Sequence, residues 1–299
     1  MKIIATIFAI FLITSMMMMM TTTSKVDTFV EENNLWYGPE DKSNPQMTEE
    51  IFDHVIGRVE QIYAPIIRYR GFAFTLYRDW NSGTVNASAR RWSGGNVWEI
   101  YMYGGMARHP SMTPDGLALV LCHEFGHHLG GAPLITVWPR KVLWASNEGQ
   151  SDYFSALKCM KRVFASDDNV SLMSSAVIDP TADRKCDNFH ADEQDRALCK
   201  RISMAAMAVV GVFKDVANDR NRVSFSTPSK KKVRKTNHKH PAPQCRLDSY
   251  FAGALCDKDY LEDVSDEDVT RGVCVAAEGE DGNNNTNAAA KPRCWYRPE

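Results

Sequence analysis

The sequence has no C-x-x-C pair among its eight cysteines, no surplus of positive charge, no internal repeat and no long apolar run after residue 20. Each absence excludes something. Without C-x-x-C, a cysteine zinc site loses its usual signature, and the even count of Cys122, Cys159, Cys186, Cys199, Cys245, Cys256, Cys274 and Cys294 points to disulfides instead. Short separations suggest Cys186 with Cys199 and Cys245 with Cys256. With 35 Lys and Arg against 37 Asp and Glu, the formal net charge is -2, so no global basic field favours nucleic acid. Without a later apolar run, no membrane span is expected beyond the N-terminus. At 299 residues and 44% hydrophobic content, the undivided chain can bury the core of one large domain, or of one domain with a small appendage.

The N-terminus supplies the one apolar run. Met1 and Lys2 lead into IIATIFAIFLITSMMMMM and a polar exit, TTTSK, which reads as a signal peptide over residues 1–24. An uncleaved membrane anchor is the alternative, because the run reaches the length of a short transmembrane helix and lacks a clean A-x-A site. Cleavage would leave an exported chain, secreted or periplasmic, with no stable membrane insertion. The sequons Asn86-Ala87-Ser88 and Asn169-Val170-Ser171 would carry glycans only in a host that makes them.

Residues 25–46 are polar, and a helical apolar pattern then runs from Thr48 through Ile51, Val55, Ile56, Val59 and Ile62. Strand-like runs follow at 72–77, 83–90 and 97–103, separated by Asn81-Ser82-Gly83 and Ser93-Gly94-Gly95-Asn96, and predict a small antiparallel sheet. Thr113-Pro114-Asp115 marks a helix start and Gly130-Gly131 its stop. Further helices are expected over 146–164 and 192–213. Ser229 to His240 is a basic stretch, read as a solvated loop. The composition from Ala276 to Ala290 cannot bury enough apolar surface to order itself, and Cys294-Trp295-Tyr296 is expected to pin the tail back.

Inside the capped helix lies His123-Glu124-Phe125-Gly126-His127, an H-E-x-x-H sequence. Helix positions four apart lie about 40° apart around the axis, so both imidazoles face one side and can share one metal. Glu124 follows the first ligand and can reach a metal-bound water without filling a coordination place, as a general base must. His128, about 100° from His127, is a poor third ligand. Asn147-Glu148-Gly149-Gln150-Ser151-Asp152 offers a better one: on one helix Glu148 and Asp152 share a face, Glu148 to bind Zn2+ and Asp152 to orient a ligating imidazole.

These residues resemble those of the gluzincin metallopeptidases, in which H-E-x-x-H is followed by a helix carrying E-x-x-x-D, and the short step from His127 to Glu148 looks thermolysin-like. Asn86-Ala87-Ser88-Ala89, Gly104-Gly105 and Thr113-Pro114-Asp115, in that order, are similar to the N-A-x-A strand, glycine pair and T-x-D of the CAAX prenyl protease and Oma-type family. His240-Pro241-Ala242-Pro243-Gln244-Cys245-Arg246 is similar to that family's H-P-x-x-x-x-R element. By this resemblance His240 and Arg246 approach the active site, with His240 stabilising the oxyanion. The likeness runs from about Phe72 to Ala254. The family's members are built into membranes and this chain lacks their later spans, which sets prenylated substrates aside.

The expectation is an α+β, gluzincin-type fold: a small antiparallel sheet over two zinc-binding helices, with helical, disulfide-bearing C-terminal additions. Residues 25–274 form the catalytic domain and 275–299 the tail. One catalytic Zn2+ on His123, His127 and Glu148, with Glu124 as base, would hydrolyse peptide bonds of a peptide or protein substrate. Extended substrate is expected to pair with the strand 97–103, whose Trp98 and Tyr101 read as sheet-face residues. The alternatives are a zinc amidase acting on another amide, such as a cell-wall crosslink, and an inactive metal-binding protein of the same fold. The intact Glu124 disfavours the second.

Overall fold

Thr48 starts the first long helix: its hydroxyl accepts from the Ile51 amide, and Glu49 and Glu50 follow where a helix N-terminus favours negative charge. Helix α1 (Glu49–Tyr69) buries Phe52, Ile56, Val59, Tyr63 and Ile67 as one stripe. The computed structural model of the chain describes residues 24–25, 28–92, 95–137, 141–276 and 288–298. The expected signal peptide, but for Ser24, and most of the expected acidic, Asn-rich stretch lie outside these residues. Among the described residues no helix is long and apolar enough to cross a membrane.

The main sheet has the order β1 (Ser24–Lys25), β3 (Ala87–Arg91), β4 (Val97–Tyr103), β2 (Ala73–Asp79). It is mixed, not antiparallel. β3 pairs antiparallel with β1 and β4, but β2 runs parallel to β4. The cause is the Asn81-Ser82-Gly83 turn, which does not close a hairpin. Its carbonyls are taken elsewhere: Gly83 O by the Tyr37 amide and Ser82 O by the Gly105 amide, which moves β3 one strand away and leaves β4 between. Strand 97–103 is therefore interior, with no free edge for a substrate. The outer positions belong to β1, which covers β3, and to β2.

Trp98, Ile100 and Met102 of β4 point into the core, and Phe74 of β2 meets Phe125 across it. Trp98 stacks on Phe72, and Tyr101 on Tyr77. Gly104 and Gly105 open the short helix α2 (Gly104–Arg108), where a Cβ would stand 2.0 Å from Trp80 O or Gly83 O, so only glycine permits the chain to turn there. Helix α3 (Pro114–Leu129) starts as expected, with Thr113 accepting from the Gly116 amide. It is buried on all sides from Gly116 onward, as a helix between a sheet and other helices must be.

A hairpin, β5 (Leu134–Val137) and β6 (Lys141–Ser146), then leads into α4 (Glu148–Phe154). The helix expected over 146–164 is realised as α4, a π-helical turn (Ser155–Cys159) and α5 (Met160–Phe164) in succession. α6 (Asn169–Ser174), α7 (Pro180–Phe189), α8 (Glu193–Val216) and α9 (Pro243–Leu255) complete an α+β fold.

Four disulfides tie it together: Cys122–Cys159, Cys186–Cys199, Cys245–Cys294 and Cys256–Cys274. The first joins α3 to the π turn beside it. Cys245–Cys256 does not form, because these residues sit in the first turn of α9 and at its C-cap. Eleven helical steps separate them by about 16 Å along the axis, far beyond disulfide reach. Cys245 instead holds the C-terminal tail, whose Trp295 is buried against Gly149 of α4. The basic stretch is exposed but pinned, its Val233 and Asn237 amides donating to Arg293 and Trp295 carbonyls. Both sequon asparagines are buried and hydrogen bonded, Asn86 to Val30 and Asn169 to Phe164 and Arg201, so neither is presented for glycosylation in the folded chain.

Candidate metal centre

α3 and α4 cross where Gly126 faces Ser151, and a Cβ on Gly126 would stand 2.9 Å from Ser151 Cα. This contact between backbones brings the His side of α3 onto the first turn of α4. His123 Nε2 and His127 Nε2 lie 3.1 Å apart, and Glu148 Oε2 and Oε1 lie 3.3 and 3.5 Å from them respectively. One ligand atom from each residue lies within 4.8 Å of the others, and all three residues are fully buried. Such a His-His-Glu group can hold a metal ion.

The hydrogen bonds fix which nitrogens are free. His123 Nδ1 donates to Asp152 Oδ1 at 2.8 Å and His127 Nδ1 to Ser146 O at 2.9 Å, which leaves both Nε2 atoms turned to the shared space. Neither oxygen of Glu148 has a hydrogen-bond partner, nor does either oxygen of Glu124. Glu148 has only imidazole nitrogens at 3.3–3.5 Å and Glu124 no hydrogen-bond partner, an arrangement that is costly in a closed interior unless a shared cation faces both. The donor set therefore fits a divalent metal.

Electrostatics agree for two of the three ligands. Burial holds His127 down at about 4, neutral as a ligand must be. Burial alone would raise Glu148, but His240 and His127 outweigh it and hold the carboxyl at about 2. His123 differs: burial disfavours its charge, yet Asp152 and Glu148 raise it to about 9, so metal binding there releases a proton. Burial pushes Glu124 up to about 8.

No protein-family model, curated protein or solved structure matches this chain. The chemistry of the centre rests on its own geometry.

Around the ligands, Arg246 of α9 reaches Asp152 twice, Nε to Oδ2 at 2.9 Å and Nη2 to Oδ1 at 2.7 Å. Phe29 and Phe213 cover its guanidinium. His240 Nε2 is 3.4 Å from Glu148 Oε2, and donates to the Thr28 carbonyl at 2.6 Å. The residues singled out in the sequence, Glu124, His240, His123, His127, Glu148, Asp152 and Arg246, thus lie together. His128 faces away, stacked between Trp98 and Trp144.

Sequence reasoning missed Ser146, Ser151 and the segment Thr28–Val30. Ser146 acts through a backbone carbonyl, which leaves no mark on residue type. Phe29 and Val30 are an apolar pair inside a stretch read as polar, and that pair was the available signal. Gly126 carries a prediction: Gly126→Val, overpacking the crossing by about 1–3 kcal/mol, should spread the ligands and weaken metal binding by about tenfold or more, measured by metal titration of the folded variant.

Proposed function

We propose that this chain is an exported zinc-dependent endopeptidase of gluzincin type. The observation that carries the reading is the convergence of two Nε2 atoms and Glu148 on one space, with the unpartnered carboxyl of Glu124 beside it. His123, His127 and Glu148 would hold the ion. Zn2+ bound there would lower the pKa of a coordinated water and polarise a substrate carbonyl.

The chain's own groups do the rest. Glu124 takes the proton of the attacking water at one oxygen and returns it to the leaving amine. Its elevated pKa, set by burial, places it near the range where a carboxyl can both accept and give a proton at neutral pH. Asp152 keeps His123 in the tautomer with Nε2 free, and Ser146 O does the same for His127. His240 supplies a donor beside the ligands, suited to the charge that develops on a carbonyl oxygen. Export accords with the four disulfides, bonds that persist in oxidising compartments.

The purified protein should carry about one zinc per chain, lose hydrolysis of a peptide library on chelation and regain it with added Zn2+. Hydrolysis that survives complete metal removal would overturn the reading.

A further inference from the structure

The four residues at the centre, His123, Glu124, His127 and Glu148, are all fully enclosed. A catalytic centre must admit its substrate, so something in this conformation stands in the way. The segment that follows β1 does so. Phe29 is fully buried, its ring edge-on to His123 with centroids 4.9 Å apart and 5.4 Å from Phe213. The carbonyls on either side of it are taken by the two polar side chains that flank the ligands: Thr28 O accepts from His240 Nε2 and Phe29 O from Arg246 Nη1, each at 2.6 Å.

The segment is also bound as a peptide ligand would be. β1, just before it in the chain, pairs antiparallel with β3. Ser24 and Lys25 pair with Arg91 and Arg90, and the Phe29 amide donates to Ala87 O at 3.0 Å. Asn86 clamps Val30 on both sides, accepting from its amide and donating to its carbonyl. Added-strand pairing with one side chain in a pocket is a general way to hold an extended peptide. A solvent-open concavity of about 510 Å³ adjoins the segment, lined in part by Val30, Phe213, Val216, His240 and Pro241.

We propose that residues Thr28–Glu31 are an intramolecular occupant of the substrate groove, which closes the centre until the segment is displaced. This rests on the reading of the site as a peptidase centre. The donor of His240 is engaged with a chain carbonyl at the place where a substrate carbonyl would need it, so occupancy and turnover exclude each other. Displacement frees the β3 edge, the Phe29 pocket and His240 together.

The test uses the full chain loaded with zinc, in wild type and in the variants Phe29→Ala and Asn33→Ala. Phe29→Ala empties the pocket. Asn33→Ala removes bonds to Glu31 O and Val85 O at a half-buried position and threatens folding less. Two rates are read: extraction of zinc by a chelator, and cleavage of quenched peptides. Opening should become more frequent, so both rates should rise, about tenfold or more for Phe29→Ala and about threefold for Asn33→Ala. A synthetic peptide of residues 24–34 added to Phe29→Ala should slow both again. If Phe29→Ala does not fold, Asn33→Ala and hydrogen exchange at the Phe29 and Val30 amides decide. Folded variants with wild-type rates of extraction and cleavage overturn the closure and leave the peptidase reading intact. Faster extraction that the peptide reverses, with no peptide cleaved by any protein, supports the closure and overturns the peptidase reading.

Discussion

Glu124→Gln should keep its zinc and lose about 10²- to 10⁴-fold in kcat, the range that removal of a positioned general base spans. The substitution is nearly isosteric, and it breaks no hydrogen bond, because neither Glu124 oxygen has one. The ligands stay in place: His123 remains held by Asp152, His127 by Ser146, and Glu148 lies on another helix. Stability should hold or rise slightly, since an amide is cheaper to bury than a carboxylate that burial pushes up to about 8. Glu148→Ala is the contrast. It removes a ligand and should lose the metal itself, so the two carboxylates separate by zinc content before any rate is compared. Metal analysis and steady-state kinetics on both variants give the answer. Near-normal turnover in Glu124→Gln would remove Glu124 from the mechanism, and loss of zinc in that variant would make it a ligand instead.

The legible features of the site are those set within one helix. H-E-x-x-H and E-x-x-x-D each fix two side chains by the α-helical period, so faces follow from spacing alone. Helix starts at Thr48 and Thr113 were legible for the same reason, since a cap is a local hydrogen bond written in residue type. Long-range pairing was not. Nothing in residues 73–79 tells that they will lie parallel to 97–103, because that depends on the Asn81-Ser82-Gly83 carbonyls finding Tyr37 and Gly105. The Cys245–Cys256 expectation failed because the helix between them went unrecognised. Pro243 at its first turn, with Leu247, Tyr250, Phe251 and Ala254 beyond, was the missed signal. The placement of Ser24, Lys25 and Phe29 against β3 was hidden for another reason. A short apolar pair in polar company has no period, and its place is set wholly by the groove that receives it.

The ion pair behind the ligands should show how much of the site's order comes from α9. Asp152 and Arg246 are nearly inaccessible, and the guanidinium makes two bonds to the carboxylate, one to Phe29 O and a longer one to Tyr250 Oη. Asp152→Ala strands a buried cation, which costs about 3–5 kcal/mol of stability. It also removes the acceptor of His123 Nδ1–H, which should weaken zinc binding by about 10- to 100-fold. Arg246→Met should separate these effects. It loses the pair and its stability, yet Asp152 keeps its bond to His123, so zinc affinity should fall by much less. The double variant Asp152→Leu with Arg246→Met leaves no unpaired charge and should be more stable than the sum of the single losses implies, by about 1–3 kcal/mol. It should bind zinc as poorly as Asp152→Ala, because the orienting acceptor is still missing. Urea unfolding and metal titration of wild type, both single variants and the double variant complete the comparison. Additive stabilities would show that the pair is not coupled. Equal zinc affinity in Asp152→Ala and Arg246→Met would show that Asp152 does not act through His123, but only as the partner of Arg246.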